Sequence, residues 1–426
     1  MARPLPQPVH TYRVGGSVRD ELLGRPQADR DWVVVGATPE TMIASGFRPV
    51  GRDFPVFLHP ETREEYALAR TERKHGTGYR GFEFFASPDV TLEQDLARRD
   101  LTINAMARDE RGELVDPYGG ARDLAAGVLR HVSAAFAEDP LRVLRVARFA
   151  ARFGFAVAAE TEAMMRAIVR SGELATLAPE RIWQETARGL MEPQPSRMLA
   201  VLRSCGALEA LLPEVDALFG VPQPPTHHPE VDAGVHVALA LDLAASRETD
   251  LAVRYAVLGH DLGKATTPRD AWPRHVAHEA RSVRLVERMS ERLRVPAECR
   301  DIARLVARHH LDVANAESLR PATLLDLLSA VDALRRPGRL DAVRAACAVD
   351  RHARPGHERD GDRPGEWLAH ALDVVRGVDA GAIARSTPPE RIESAIRSAR
   401  LKALRDWRGR ERGGLLLEQH RGQNKI

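Results

Sequence analysis

The sequence has few cysteines, few aromatic residues and no long apolar run. Its three cysteines, Cys205, Cys299 and Cys347, lie far apart and form no C-x-x-C pair. This spacing argues against a disulfide framework and a cysteine-ligated zinc knuckle. No window approaches the roughly 18 apolar residues that a membrane-spanning helix requires, and the N-terminus lacks an apolar signal core. We therefore expect reduced thiols, a cytoplasmic protein and no membrane partner.

The sequence also has no large excess of positive or negative charge. Lysine and arginine number 62 against 60 acidic residues, which gives a formal net charge of +2. Global charge therefore provides no argument for nucleic-acid binding, and any basic surface must be local. The chain has 426 residues, of which 44% are hydrophobic, so it can bury sizeable cores, and its length favours about two to four domains.

The character of the sequence changes along the chain. Short apolar runs alternate with helical segments up to about residue 132, whereas residues from 137 onward repeat apolar positions at helical spacing. The proline-rich segment 221–229 is the best candidate boundary, because prolines remove backbone donors and stiffen a connection. We predict an α+β protein divided into four parts, at residues 1–135, 136–225, 226–355 and 356–426, and a frayed helix or tail over residues 405–423.

The segment 12–36 combines a glycine turn with two closely spaced carboxylates. Gly15 and Gly16 let the backbone approach a triphosphate, and their amides can face its anionic oxygens. Asp29 and Asp31 open a predicted strand at residues 32–35. Alternate residues of a strand point the same way, so the two carboxylates can hold one divalent cation between them. This pattern is typical of phosphoryl-transfer chemistry, although a solvated turn is the alternative.

Four arginines share one face of the helix predicted after residue 139. Arg142, Arg145, Arg148 and Arg152 follow each other at intervals of three or four residues. Their charges repel unless something anionic lies beside them, so we expect a nucleotide or RNA there. Pairing with acidic residues elsewhere in the chain is the alternative. Asp139 before Pro140 predicts an N-cap and first-turn pair, with Gly154 ending the helix.

A second cluster lies in the later, helical part. His260 and Asp261 are adjacent and are followed by Gly263 and Lys264, with His236 upstream and Asp350 about 90 residues downstream. Adjacent His-Asp alone is common. With His236 and Asp350, the pair resembles the metal-binding set of HD-domain phosphohydrolases, in which two imidazoles and two carboxylates hold a divalent metal that activates water.

These motifs resemble those of a known family. The Gly-Gly and Asp-x-Asp pattern resembles the polymerase β-like nucleotidyltransferase superfamily. The stretches at residues 51–59, 64–74, 98–105, 116–120 and 138–155 look like those of bacterial CCA-adding tRNA nucleotidyltransferases with a C-terminal HD phosphohydrolase domain. The resemblance implies a small mixed-sheet head, an elongated all-α neck and body, and an all-α HD domain. It also implies template-independent addition and repair of the 3′-terminal CCA of tRNA from CTP and ATP.

The resemblance also implies roles for residues of the head and neck. Asp29 and Asp31 would hold Mg²⁺, with Glu65 as a third carboxylate acting as general base and Glu64 as the alternative. Asp139 and Arg142 would hydrogen-bond the incoming base, as a template strand does. Further nucleotide contacts are expected from Gly16, Arg19, Arg99, Arg145 and Arg148. For Arg19 and Arg99, surface pairing with Asp20 or Asp100 is the alternative.

For the HD domain, the resemblance implies a metal held by His236, His260, Asp261 and Asp350, with His260 and Asp261 as catalytic residues. Such domains act as phosphatase, 2′-nucleotidase and 2′,3′-cyclic phosphodiesterase. Histidine ligation favours Ni²⁺, Mn²⁺ or Co²⁺, without choosing among them. Lys264 could steady the phosphate. His278 and His310 could bind a second metal, or they could be ordinary surface histidines.

Other readings of the sequence stay open at this point. A bacterial poly(A) polymerase has a similar head, although the HD unit argues against it. An enzyme of alarmone metabolism couples an HD hydrolase with a nucleotidyltransferase fold, although its hydrolase normally comes first in the chain. A catalytically silent RNA-binding protein would use the arginine face alone. The sequence leaves open whether the chain is a monomer or a homodimer.

Overall fold

The computed structural model describes residues 5, 9–26, 30–50, 56–74, 82–226 and 229–423. It divides into two compact units, residues 1–213 and 214–426. The proline-rich segment 221–229, where we expected the division, lies just inside the second unit. The finer division into four parts stays a prediction.

The first unit begins with short strands and helices. In chain order these are β1 (His10–Val14), α1 (Gly16–Leu22), β2 (Asp31–Val35), α2 (Pro39–Ala44), β3 (Arg48–Val50), β4 (Val56–Leu58), β5 (Glu65–Leu68), β6 (Arg70–Lys74), β7 (Phe82–Ala86), α3 (Leu92–Ala97), β8 (Ala107–Arg108), β9 (Leu114–Val115), α4 (Gly120–Ala126) and β10 (Val128–Leu129). Residues 39–45 and 92–100, two of the helical segments of the sequence, contain α2 and α3, and α3 ends three residues before the second segment does.

A seven-stranded mixed sheet organises this head, with strand order β3-β4-β5-β2-β1-β8-β9. β2 and β5 run parallel, while β1 pairs with β2 in antiparallel fashion. Consecutive residues of β2 point to opposite faces of the sheet, and both faces are covered by apolar residues. Val33 packs with Leu92 and Leu96, whereas Val34 packs with Met42 and other apolar residues. The predicted mixed-sheet head is confirmed.

Helices follow the head. They are α5 (Leu141–Phe153), α6 (Ala159–Arg170), α7 (Pro179–Leu190), α8 (Pro195–Ser204) and α9 (Ala207–Leu211), with β11 (Ala156–Val157) pairing with β10. α5 packs against α7 and α8 through an apolar side that includes Val143, Val146 and Ala150. Gly154 ends α5 with φ 73°, as predicted, because glycine adopts the left-handed conformation at low cost. The helix begins one residue later than predicted, with Pro140 as its N-cap.

The second unit is helical in all its described elements. They are α10 (Pro213–Asp216), at the division, and then α11 (Ala233–Ser246), α12 (Leu251–Gly259), α13 (His278–Leu293), α14 (Ala297–Ala314), α15 (Pro321–Ala330), α16 (Pro337–His352), α17 (Arg363–Arg376), α18 (Ala380–Ser386) and α19 (Ile392–Gln423). α12 packs against α11, α14 and α16, and α13 packs against α14. Asp232 and Asp250 cap α11 and α12 with their side chains.

Of the frayed helix or tail that we expected over residues 405–423, the structure has the helix. α19 continues through residues 405–423, and two of its apolar side chains, Leu404 and Trp407, are buried. Trp407 packs against Trp367 of α17, with 4.4 Å between the ring centroids. The buried Leu404 and Trp407 attach α19 to the rest of the unit. They could not be recognised from the sequence, because charged residues surround them. Among the described residues, no helix is long and apolar enough to cross a membrane.

Candidate functional sites

A cavity of about 750 Å³ opens in the first unit, between the sheet and α5. Asp31 begins β2 and Glu65 begins β5, and the two are register partners on these neighbouring parallel strands. Both side chains line the cavity. Carboxylate oxygens are the ligands that Mg²⁺ prefers, so these two residues fit the predicted cation. Asp29, the remaining predicted ligand, lies outside the described residues.

The neighbouring carboxylate, Glu64, has another partner. Its Oε2 accepts a hydrogen bond from the indole Nε1 of Trp32 at 3.1 Å, and it is not among the residues that line the cavity. Glu64 and Glu65 point to opposite sides because consecutive residues of an extended chain alternate. The geometry therefore favours Glu65 over Glu64 as the third carboxylate.

The glycine turn sits beside two predicted phosphate-binding arginines. Gly15 has φ 73°, a conformation that favours glycine, and a Cβ there would lie 2.8 Å from Arg99 Nη1 and displace that side chain. Gly15 N–H donates to the carbonyl of Met106 at 3.1 Å. The expectation that the turn's amides face a triphosphate is therefore wrong for this residue. Gly16, Arg19 and Arg99 all line the cavity.

Buried carboxylates hold these arginines. Arg19 pairs with Asp20, as the alternative reading had it, but it is buried rather than on the surface. Arg99 pairs with Asp95, not with Asp100, at 3.3 Å. Asp95 is fully buried, and the charges of Arg98 and Arg99 outweigh the effect of burial and lower its pKa. Sequence analysis missed Asp95, for which the only signal is its position one turn before the two arginines.

The arginine face of α5 is neutralised within the chain. Arg145 Nε donates to Asp100 Oδ2 at 2.8 Å, Arg148 Nε donates to Glu185 Oε2 at 2.7 Å, and Arg152 lies 3.5 Å from Asp20. The alternative reading, pairing with acidic residues elsewhere, is thus the one observed for these three. All of them still line the cavity, so its wall is an arginine layer backed by carboxylates.

Asp100 is the most strongly perturbed of these carboxylates. Burial opposes its ionisation, but the charge and hydrogen bond of Arg145, the hydrogen bond from Asn104 and the charge of Arg142 together outweigh burial and lower the pKa of Asp100 to about 2. The same pairing raises the pKa of Arg145. Both groups are therefore charged at neutral pH, and the pair fixes the orientation of Arg145.

The two predicted base-reading residues lie at the start of α5. Arg142 donates to two backbone carbonyls, those of Ala135 at 2.7 Å and Arg98 at 2.6 Å. Asp139 Oδ1 accepts the N–H of Leu141 at 3.1 Å, and its Oδ2 accepts from Arg181 Nη2 at 3.0 Å. Asp139 is not the N-cap, which is Pro140, but one of its oxygens still accepts the first N–H of α5. Arg181, which also lines the cavity, was missed because nothing local in the sequence links it to Asp139.

In the second unit, three helices bring together the ligand set predicted for the HD metal. His236 lies on α11, His260 and Asp261 follow α12, and Asp350 lies on α16. Asp350 Oδ1 is 2.8 Å from His236 Nε2 and 3.5 Å from His260 Nε2. Asp261 Oδ2 is 3.2 Å from His260 Nε2. All four side chains are buried.

A second triad shares Asp261. His278 begins α13 and His310 lies on α14, and their Nε2 atoms are 3.2 Å and 3.7 Å from Asp261 Oδ1. Both imidazoles are buried, so they are not ordinary surface histidines. The two carboxylate oxygens of Asp261 therefore face different groups of ligand atoms, as in a bridging carboxylate between two metal ions.

Backbone carbonyls orient three of these imidazoles for metal binding. Nδ1 of His260, His278 and His310 faces the carbonyl of Val257, His275 and Val306, respectively. The Nδ1 proton is therefore used by the backbone, and Nε2 carries the lone pair that a metal needs. Two such nitrogens, His278 and His310 Nε2, lie 3.2 Å apart. Their lone pairs repel unless a cation or a proton lies between them.

The buried charges also fit a metal. His260 Nε2 and Asp261 Oδ1 are buried and have no hydrogen-bond partner within the described residues. Burial disfavours the charged imidazole, but Asp261 and Asp350 outweigh it and raise the pKa of His260 to about 10. For His310 burial dominates and lowers the pKa to about 4. The surroundings of His260 therefore favour a positive charge, whereas those of His310 favour a neutral imidazole. A metal cation bound at this centre would take the place of the proton on His260.

Two further residues complete this centre. Lys264 Nζ lies 2.6 Å from Asp261 Oδ2 and donates to Gln223 Oε1 at 2.5 Å. Its ammonium is thus held by Asp261 and Gln223, which does not favour the predicted phosphate contact. Glu230 Oε1 lies 2.8 Å from His236 Nδ1 and is buried with it. Sequence analysis missed Glu230, because it lies just after the proline-rich segment and shows no motif of its own.

Comparison with known proteins gives three family matches along the chain. Residues 11–130 match the poly A polymerase head domain, residues 154–219 match the probable RNA and SrmB-binding site of polymerase A, and residues 233–351 match the HD domain. The head match contains Asp31 and Glu65 but ends before Asp139 and the arginine face of α5. The HD match contains both ligand triads of the second unit.

Full-length relatives are similar over nearly the whole chain. The multifunctional CCA protein of Nitrosomonas europaea is 60% identical over 402 residues, which is 92% of this chain and 98% of that protein. The multifunctional CCA protein of Aromatoleum aromaticum is 61% identical over 400 residues, 93% of this chain and 98% of that protein.

Solved structures show the same fold. The CCA-adding enzyme of Bacillus stearothermophilus in complex with CTP matches with a TM-score of 0.63 at 23% identity, over 98% of this chain and 95% of that one. The Thermotoga maritima CCA-adding enzyme complexed with tRNA matches with a TM-score of 0.60 at 20% identity, over 93% and 87% of the two chains.

Proposed function

The chain belongs to the multifunctional CCA protein family, so it is a CCA-adding nucleotidyltransferase with an HD domain, and we propose how its residues carry the two activities. In the first unit the reaction is template-independent addition of two cytidines and one adenosine to the 3′ end of tRNA. CTP, ATP and tRNA are the substrates we propose, in line with the ligands named for the CTP-bound and tRNA-bound structures.

The observation that carries the head assignment is the pairing of Asp31 with Glu65 across two parallel strands at the cavity. We assign both carboxylates, together with Asp29, to Mg²⁺. When bound, Mg²⁺ lowers the pKa of the attacking 3′-hydroxyl and neutralises charge on the triphosphate. Glu65 is the residue placed to accept the hydroxyl proton, and Arg19 and Arg99 bind phosphate oxygens.

Base selection falls to Asp139 and Arg142 in this proposal. Arg142 is fixed by two backbone carbonyls, so its guanidinium is oriented before a nucleotide arrives, which lowers the entropic cost of recognition. Asp139 Oδ2 already accepts from Arg181. A carboxylate oxygen has two lone pairs, so a base that donates to Oδ2 shares it with Arg181 or displaces that arginine.

In the second unit we propose a metal-dependent phosphohydrolase that acts on phosphate esters at tRNA 3′ ends, including 2′,3′-cyclic phosphates. His236, His260 and Asp350 hold one metal, and Asp261, His278 and His310 hold a second. We add Asp261 to the first set as well, because its Oδ2 lies 3.2 Å from His260 Nε2. Imidazole ligands favour Ni²⁺, Mn²⁺ or Co²⁺ over Mg²⁺. A bound metal supplies the activated water, and Lys264 keeps Asp261 in place.

An incorporation assay on tRNA lacking its CCA end tests the head assignment. We expect two cytidines with CTP alone, completion with ATP, and loss of both steps in Asp31→Asn. Asp89→Asn, which removes an exposed carboxylate in the same unit, should behave like the parent. Long adenosine tracts with ATP alone would support the poly(A) polymerase reading, which the full-length relatives do not favour.

A metal and hydrolysis assay tests the second centre. We expect about two metal ions per chain in the parent and about one in His310→Ala. His260→Ala should lose hydrolysis of a 2′,3′-cyclic nucleotide and keep nucleotide addition. Joint loss of both activities in a folded His260→Ala variant would contradict two separable sites.

A further inference from the structure

One arginine beside the HD metal centre has no role in the assignments above. Arg354 follows α16, one turn after Asp350, and its Nη2 lies 3.6 Å from Asp350 Oδ1. That distance is too long for a hydrogen bond. Its Nε is buried without a hydrogen-bond partner, whereas the side chain as a whole is 23% exposed. Arg354 thus has one side toward solvent and the other toward the metal ligands.

Other cations near the centre are held by protein acceptors. Lys264 is bound by Asp261 and Gln223, and Arg351 donates to Gly361 O and Asp362. For Arg354, by contrast, the described part of the chain offers the guanidinium no acceptor within hydrogen-bond distance. Leaving the buried Nε–H of a charged group without an acceptor is unfavourable. A ligand that accepts from it removes that cost.

The Arg354 guanidinium and the nearby Asp350 indicate which kind of ligand would accept a hydrogen bond from Arg354. A guanidinium has no lone pair and cannot bind a metal, so Arg354 does not extend the ligand set. Its planar donors match the oxygens of a phosphate. Among the described residues, Asp350 carries the one carboxylate within 4.0 Å of the Arg354 guanidinium. Binding of Asp350 to a metal weakens the attraction of that carboxylate for the arginine. Arg354 then has a ligand oxygen as its best acceptor.

We propose that Arg354 binds the phosphate group of the ester that is hydrolysed at the HD centre. The inference rests on the proposed phosphohydrolase function and adds to it the residue that holds the substrate. It places the phosphate between the metal ligands and the exposed side of Arg354. The non-bridging oxygens accept from the guanidinium, while the bond to be broken lies toward the His260 and Asp350 side.

Inhibition by inorganic phosphate is the direct test, since phosphate is the part of the substrate that Arg354 binds. The measurements are metal per chain by elemental analysis, the inhibition constant of phosphate, and KM and kcat for a 2′,3′-cyclic nucleotide. In Arg354→Met we expect unchanged metal content and about 10- to 100-fold weaker phosphate inhibition, with a matching rise in KM. Arg354→Lys should recover part of the loss, because it keeps the charge and loses the planar fork.

Arg359→Met is the matched control, since Arg359 is an exposed arginine in the same loop and its loss changes the net charge equally. Phosphate should inhibit Arg359→Met as strongly as it inhibits the parent, and KM and kcat for the cyclic nucleotide should be unchanged. All three variants should keep nucleotide addition. Phosphate inhibition and KM that stay at parental values in Arg354→Met would overturn the proposal. Loss of metal in Arg354→Met would also overturn it, by showing that the arginine supports Asp350 instead.

The two proposals fail in different ways. A parent that hydrolyses no phosphate ester with Ni²⁺, Mn²⁺ or Co²⁺ refutes the phosphohydrolase assignment. Calorimetric titration of the metal-loaded chain with phosphate then still decides the role of Arg354. Binding by the parent and not by Arg354→Met supports a phosphate site, and equal binding by both refutes it.

Discussion

The carboxylate of Asp139 accepts a hydrogen bond from Arg181 at 3.0 Å, although 42 residues separate the two in sequence. The bond holds the proposed base-reading oxygen in place, while the second oxygen is tied to the N–H of Leu141. Asp139 is therefore fixed from two sides before a nucleotide binds. Arg181 belongs to α7, which packs against α5, so the packing of the two helices sets the position of the carboxylate.

We predict that Arg181→Gln weakens the choice of nucleotide. Without the guanidinium, Asp139 Oδ2 can rotate, and the loss of a charge-assisted hydrogen bond is worth about 1.5 to 3 kcal/mol. Competition assays with all four nucleotides should show the preference for CTP and ATP over UTP and GTP falling about tenfold or more. Binding of tRNA should be unchanged. Arg170→Gln, at an exposed arginine of α6, is the control, and an unaltered preference in Arg181→Gln would refute the positioning role.

Adjacent glutamates give a sharp test of the third carboxylate. Glu65 lines the cavity opposite Asp31, whereas Glu64 holds the indole of Trp32. Glu65→Gln should lower the rate of nucleotide addition about 100-fold or more, because a general base and metal ligand is lost. Glu64→Gln keeps an acceptor for Trp32 and should stay within about threefold of the parent. Single-turnover rates measure both, and equal damage from the two substitutions would contradict the assignment.

Much of the head and neck could be predicted from residues that act locally. The glycine at the end of α5, the alternation along β2 and the helical spacing of the later segments each depend on nearby residues. Partners from distant segments could not be predicted. The arginine face of α5 was expected to need an external anion, but Asp100 and Glu185 neutralise it. Nothing in the spacing of those two acids shows that the fold brings them to α5.

The Asp100–Arg145 pair predicts a dependence of stability on pH. Asp100 has a pKa of about 2 in the folded chain, below its ordinary value of 3.8. It therefore contributes stability that is fully present above about pH 4 and is lost as pH falls toward 2. Asp100→Asn should lower the free energy of unfolding of the first unit at pH 7 by about 2 kcal/mol. Chemical denaturation should show the difference between parent and variant narrowing from pH 5 to pH 3, whereas a constant difference would exclude linkage to Asp100.

Glu230 gives a prediction for the metal centre that needs no activity measurement. Its Oε1 lies 2.8 Å from His236 Nδ1, and its side chain is only 3% exposed. The carboxylate fixes the tautomer of His236 with Nε2 toward Asp350, and its negative charge makes the imidazole a stronger ligand. Glu230→Gln keeps the size of the side chain and removes the charge. We expect metal affinity to fall about 10- to 100-fold in competition with a chelator.

Glu279 provides the matched comparison for that experiment. Its carboxylate is 3.7 Å from His278 Nδ1, but that nitrogen already faces the carbonyl of His275 at 2.8 Å. The backbone, not Glu279, therefore orients His278, and Glu279→Gln should keep metal affinity within about threefold. Both variants should retain nucleotide addition, because the first unit holds its own site. A Glu279→Gln variant as weak as Glu230→Gln would mean that negative charge near the centre matters, and that the contact with His236 does not.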